Sequence, residues 1–360
     1  MPNAEIARAR LHNQRIAKPT FDDPAAIVRW MGAMQAQDYH QAVWALGARL
    51  AVPTLQAVEA ALTAGQIIRT WPMRGTIHFV PPEDALWMLR LTATRMIAKD
   101  GRRQRQLELD GATLARCETV IEAALRGGRS LSRPDLLQTL ETAGISTTGQ
   151  RGYHILAYLA QRGLIYIGAL EGKQQTFALL DDVAPHPRNL TTQEAWVELA
   201  RRYFGSHNPA TSQDFAWWAG VTLTEARAAI ESLRPAVQSE MIDGVTYWHS
   251  ETSAGRVRPA ATPEIVLLPG FDEYFLGYKD RAAVIEPEHL TRVCPGGNGV
   301  FRPMIVVDGQ IVGTWTRTFK KDSVIIEPTR FPDSAPIDAD ALSVAAGRYA
   351  NFHGLVLKLA

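Results

Sequence analysis

The stretch 112-ATLARCETVIEAALRGGRSLSRPDLLQTLETAGISTTGQRGYHILAYLAQRGLIYIGALEGKQQTFALL-180 decides the fold. GATLARCETVIEAALRGG reads as a helix, SRPDLLQTLETAG as a second, and TTGQRGYHILAYLAQRGL as a third that stops at Gly163. IYIGALEGKQQTFALL then reads as strand, Glu-Gly turn and strand. Three helices followed by a hairpin is the order of a winged helix-turn-helix.

The same order recurs after DDVAPHPRNL. TQEAWVELARRYFGS, TSQDFAWWAG and TLTEARAAIESL are helical, and AVQSEMIDGVTYWHS is a hairpin turning at Asp243-Gly244. A weaker echo lies earlier, where TLQAVEAALTAG precedes the extended runs IIRTW and MRGTIHFV. The last hundred residues change character. EIVLLPGFDEYFLGY, VFRPMIVVDGQIVGTWTRTF and SVIIEPTRF are strand-rich, with Asp308-Gly309 at a hairpin turn and SAPIDADALSVAAGRYANFHG as a closing helix. The expected fold is α+β and mainly helical: tandem winged helix-turn-helix modules followed by a small C-terminal β domain of the half-barrel type. The expected boundaries are 1–110, 111–182, 190–250 and 260–360.

Composition sets outer limits. The 360 residues are 46% hydrophobic and 21% charged, which marks a globular chain. Two cysteines, Cys117 and Cys294, exclude a disulfide framework and a four-cysteine zinc site. Nine histidines lie scattered without HExxH spacing, so no metal is expected; His289 reads as a surface residue. CPGGNG, 294–299, lacks the lysine of a phosphate loop, and no cofactor is expected. MPNAEIARAR has no apolar core of a signal peptide and no apolar run is long enough for a membrane span, so a cytoplasmic location is expected; with no long apolar helix face or coiled-coil heptad in the sequence, a monomer is expected. Net charge is only +1, but RLTATRMIAKDGRRQRQ gathers Arg90, Arg95, Lys99, Arg102, Arg103 and Arg105. That run is either a solvated helix and turn or a phosphate-contacting surface.

MQAQDYH, 34–40, follows DPAAIVRWMGAM, a helix opened by Asp23 and Pro24. Were the helix to continue, Gln35 and Gln37 would point about 200° apart. An extended segment, with period two, puts both amides on one face. If the helix ends near Met34, the two carbonyl oxygens can orient one water beside a developing cation. The alternative has one amide capping backbone groups and the other in solvent, and spacing alone favours it. In TWPMRGTIHFV, strand alternation places Arg74, Thr76 and His78 on one face, either phosphate-binding or merely solvated. Asp272 and Glu273 suit a structural or DNA-orienting role, with Lys279 and Arg281 as nearby cations. The third helix of the 112–180 stretch should expose Gln150, Arg151 and His154 at its N-terminal end, where a helix-turn-helix reads bases.

MQAQ after the second helix, RGTIHFV, LLPGFDEYFLGYKDR and VVDGQIVGTW, taken together and in this order, resemble the AlkZ/YcaQ-like winged-helix DNA glycosylases. The resemblance runs from about residue 34 to 315, nearly the whole chain. It implies tandem winged helices forming a concave surface for double-stranded DNA with alkylated bases, no membrane and no metal. It also implies excision of N7-alkylated purines and, in some members, unhooking of interstrand crosslinks. The family's catalytic Gln-apolar-Gln motif falls on Gln35-Ala36-Gln37; a second branch carries Gln-apolar-Asp, and here Asp38 follows the pair. The resemblance shifts the weight toward a catalytic role for the glutamines. It further implies DNA contacts from Arg74 and His78, at the lesion or a nearby phosphate. Thr76, Arg102, Arg103, Arg151 and His154 complete the expected DNA-binding set. A non-catalytic winged-helix regulator is the competing reading, and a protein-interaction scaffold is a third.

Overall fold

The computed structural model describes residues 3–250 and 264–360. The chain divides into two units, Glu59–Trp196 and a discontinuous one built from Met1–Val58 and Val197–Ala360.

In Glu59–Trp196, the helices Gly111–Leu125, Arg133–Thr142 and Arg151–Gln161 and the hairpin Ile165–Glu171/Gln174–Leu179 follow the expected order. A short strand, Leu131–Ser132, lies between the first two helices and pairs with Phe177 and Thr176. The first hairpin, Ile68–Met73 with Thr76–Val80, adds to the same sheet through Arg69 opposite Ile167. Two hairpins read as separate wings thus share one sheet. The ladder of the first breaks between Thr70 and Met73, around Pro72, which has no N–H to donate.

The basic run is not a helix and turn. One helix, Pro82–Gln106, carries it through Gly101 to the end. Leu86 and Leu89 of this helix lie close against Gly163, and Thr92 Oγ1 donates to the Pro72 carbonyl.

The discontinuous unit is held by two kinds of contact. Its C-terminal sheet runs in sequence order through Ile265–Leu268, Met304–Val307, Gln310–Phe319, Ser323–Arg330 and Val356–Leu359. The last strand, absent from the sequence reading, follows the closing helix Ala339–Phe352 and joins parallel to Ser323–Arg330. Trp44 donates to the Leu267 carbonyl at 2.8 Å and Trp315 to that of Leu268 at 3.0 Å. Both indoles meet Tyr349 of the closing helix edge-on, at 5.0 and 4.9 Å. Aromatic burial with satisfied N–H groups thereby fixes the helix Tyr39–Gly47 against the sheet.

The second kind is polar. Asn13 Nδ2 donates to the Asn208 carbonyl at 2.8 Å, Arg10 Nε to that of Pro209 at 3.0 Å, and Gln14 Nε2 to the Tyr278 hydroxyl at 3.1 Å. All three side chains come from the first helix, Asn3–Asn13, or just after it. They are buried, so each bond left unmade would cost about 1–3 kcal/mol. These anchors explain why the first 58 residues pack with the last 164 rather than with their sequence neighbours.

The expected hairpins at Asp243-Gly244 and Asp308-Gly309 are present, with positive φ at both residues of each turn as a two-residue hairpin requires. FDEYFLGY departs from expectation: Glu273–Leu276 is a helical turn, not strand. His289, expected at the surface, is buried beside the Phe331 ring at 4.8 Å. Among the described residues no helix is long and apolar enough to cross a membrane.

Candidate active site

The helix Pro24–Met31 begins as its residues dictate, with Asp23 Oδ1 accepting from the Ala25 N–H at 2.9 Å and Pro24 in the first turn. It ends at Gly32, whose φ of +80° is open to glycine, and whose N–H closes on the Val28 carbonyl. The chain then runs extended at Met34–Gln35. Burial alternates from there: Met34 and Ala36 are sealed in, at 1% and 0% exposure, while Gln35 is half-buried and Gln37 exposed. The strand ends at Gln35, and Gln37 lies in the bend that leads to the next helix, so the two glutamines are the less buried positions of a non-helical segment.

Asp38 ends the segment by capping the next helix. Its carboxylate accepts from the Gln41 N–H at 3.2 Å and from Gln41 Nε2 at 3.0 Å. Gln41 Oε1 in turn accepts from the Gly270 N–H. Glycine is required at 270, because a Cβ there would lie 2.0 Å from the Phe301 carbonyl oxygen.

Beneath the segment lies the acidic pair of FDEYF. Asp272 does not pair with Lys279 or Arg281; it forms a two-pronged ion pair with Arg49, with both bonds at 2.8 Å and both side chains fully buried. Arg281 instead donates to the Phe275 carbonyl and lies over its ring. Glu273, 1% exposed, holds the site directly. Its Oε1 accepts from the Gln35 N–H at 2.8 Å and its Oε2 from Trp218 Nε1 at 2.9 Å. His207 Nε2 approaches Oε2 at 3.6 Å, and its ring stacks on Tyr203 at 4.6 Å. Burial pushes the His207 pKa down, against the pull of Glu273.

The remaining expected residues lie in Glu59–Trp196 and do not behave alike. Arg74 is not on the strand: it sits with Gly75 in the turn, with φ +54°, so strand alternation does not reach it. Thr76 opens the strand and donates to the Met73 carbonyl at 3.5 Å. His78 is fully buried, with Nδ1 2.9 Å from the Thr76 carbonyl oxygen, so it does not share an open face with Thr76. Arg102 is exposed, and Arg103 donates to Gln150 Oε1 at 2.7 Å and Gln106 Oε1 at 3.1 Å. Arg151 is half-buried and donates to the backbone carbonyls of Leu107, Glu108 and Ser146. His154 is paired with Asp100 at 2.8 Å.

Sequence reasoning singled out the glutamines but not the distant residues that hold their segment. Glu273 reaches Gln35 across 238 positions, and Gln41 reaches Gly270 across 229. The only local signal was an acidic pair following an apolar run.

The sequence model described as "DNA glycosylase AlkZ-like" matches residues 28–352. An "Interstrand DNA cross-link repair glycosylase" of Streptomyces sahachiroi is 26% identical over 364 residues, covering 96% of this chain and 95% of that protein. The solved structure of Streptomyces sahachiroi DNA glycosylase AlkZ aligns with a TM-score of 0.81 at 22% identity, over 100% of both chains, which shows a shared fold.

Proposed function

Because this chain belongs to the AlkZ-like DNA glycosylase family, we propose that it hydrolyses the N-glycosyl bond of N7-alkylated purines in duplex DNA, with Gln35 and Gln37 placing the attacking water at C1′. The observation that supports this reading is the alternating burial of the segment, with Met34 and Ala36 sealed in while Gln35 is half-buried and Gln37 exposed outside any helix. An N7-alkylated purine is already cationic, so it departs without protonation and the site needs no strong general acid. What remains is to orient a water and to favour positive charge on the sugar. Amide carbonyl dipoles held in place do both without reorganising during the reaction.

Selectivity follows from the same chemistry. General acid–base catalysis is typically worth about 10²–10⁴-fold. A site without it spares unmodified purines, which leave only with such help. Asp38 is held as a helix cap by two bonds to Gln41, which leaves water positioning to the amides.

The units of three helices and a hairpin are winged-helix modules in this reading. Arg102, Arg103, Arg74 and Thr76 supply DNA contacts, while Arg151, His154 and His78 act through the backbone and side chains they already hold. Interstrand crosslinks, the lesions named for the Streptomyces relative, are the second substrate to test. A surface segment suits them better than a deep base-flipping pocket, whose walls would exclude a bulky lesion.

The test is base release from duplex DNA carrying N7-methylguanine, for wild type, Gln35→Ala, Gln37→Ala and the double variant. Wild type should free the base, and the variants should be slowed while still binding the duplex in a salt-dependent way. Wild type that binds the duplex but releases neither N7-methylguanine nor a crosslinked purine would turn the reading toward a non-catalytic DNA-binding protein.

A further inference from the structure

We propose that Glu273 is the positioning residue of the Gln35–Ala36–Gln37 segment, acting through the backbone of Gln35; the inference rests on the glutamine-based reading above. Glu273 takes the Gln35 N–H on Oε1 at 2.8 Å and the Trp218 indole N–H on Oε2 at 2.9 Å. Two donors on two oxygens require a group that only accepts, which is an ionised carboxylate. A side-chain amide has one accepting oxygen and one donating nitrogen, so it can satisfy one of these N–H groups but must oppose the other. Charge-assisted bonds of this kind are roughly twice as strong as neutral ones.

The carboxylate is itself fixed. Its helical turn, Glu273–Leu276, starts at Asp272, whose side chain accepts from the Tyr274 N–H and is gripped by Arg49. Trp218 packs against Tyr203 at 5.0 Å and His207 at 5.4 Å, which fixes the second donor. From Arg49 to Gln35 every link is buried or nearly so. Holding the Gln35 N–H sets the backbone direction at that residue and with it the direction of its side chain. Small displacements of such groups have large kinetic effects: about 1 Å can cost about 10²-fold.

The experiment compares E273Q with the double variant E273Q/W218F in single-turnover base release at saturating DNA. The Gln35 amide proton resonance is followed in parallel. E273Q is expected to slow base release by about 10–100-fold at unchanged duplex affinity. It is also expected to move the Gln35 amide proton upfield, as the bond to a carboxylate is lost. In the double variant the indole donor is gone, so the amide oxygen is free to turn to the Gln35 N–H and the rate should recover toward wild type. Loss of the indole removes core packing, so a merely structural role for Glu273 predicts the opposite order, with the double variant the slower. Unchanged base release in E273Q, or a double variant slower than E273Q, overturns the proposal. Should E273Q fail to fold, E273Q/W218F alone still decides the point, because the proposal requires it to fold and release base. Wild type that releases no base would overturn the glycosylase reading instead. The amide resonance would then decide the hydrogen bond by itself, support being an upfield shift in E273Q and refutation its absence.

Discussion

Replacing Asp272 with alanine should destabilise the discontinuous unit far more than an average substitution does. The structure supplies the terms. Asp272 accepts two 2.8 Å bonds from the Arg49 guanidinium, with both side chains at 0% exposure. The other donors of Arg49 stay satisfied in the variant: Nε by the Gln14 carbonyl, Nη1 by that of Ala45, and Nη2 by Gln14 Oε1. What is lost is the countercharge, and a buried cation left without one costs about 3–5 kcal/mol. Asp272 also caps the Glu273–Leu276 turn through the Tyr274 N–H, and losing a cap adds about 1 kcal/mol. The sum is about 4–6 kcal/mol. With a urea slope of about 3 kcal/mol/M, the midpoint should fall by roughly 1.3–2 M. Tryptophan fluorescence reads it, since Trp44, Trp218 and Trp315 are buried in this unit. The partner variant Arg49→Met/Asp272→Leu removes both charges and should be less destabilised than D272A alone, because no unpaired charge stays buried. A D272A midpoint within about 0.3 M of wild type, or a double variant no better than the single one, would refute the electrostatic account.

Other expectations follow from the same contacts. Gly270→Ala drives a Cβ to 2.0 Å from the Phe301 carbonyl oxygen and 2.8 Å from Gln41 Oε1. It should cost at least the roughly 1–3 kcal/mol typical of overpacking, seen as a lower thermal midpoint. Asp38→Asn keeps an acceptor for the Gln41 N–H but loses the bond from Gln41 Nε2, so stability should fall by about 1 kcal/mol while base release stays within about tenfold of wild type. A fall of about 10²-fold or more in base release at that small loss of stability would instead make Asp38 a general base. Glu264 is pushed up to about 7 by burial and then by the neighbouring Asp308. Its folded pKa exceeds its unfolded one, so its contribution is fully present below about pH 4.5 and is lost as pH rises through 7. Glu264→Gln should therefore match wild type in thermal midpoint near pH 4.5 and exceed it at pH 8; parallel curves across that range would contradict the assignment.

The local elements were legible in the sequence because each carries its own instruction. Asp23-Pro24 starts a helix, and Asp243-Gly244 and Asp308-Gly309 turn hairpins, all through interactions within a few residues. The extended conformation at Gln35 was one of two alternatives that spacing left open, and Gly32 resolves it. Where a reading needed neighbours, it failed. Arg74 looked like strand until its turn geometry was known, and His289 looked exposed until Phe331 covered it. Arg151 and His154 sit at the N-terminal end of their helix, as read, but their side chains are taken by carbonyls and by Asp100.

The sequence by itself determined most of the long helices and the two Asp-Gly hairpin turns, since periodicity and capping act over three or four residues. Only the tertiary structure decided that residues 1–58 join 197–360 and that two hairpins form one sheet. The same is true of the carboxylate behind Gln35, which arrives from 238 positions away. The reason is physical: buried polar groups must find partners wherever the fold brings them, and no local pattern records which distant donor will be there.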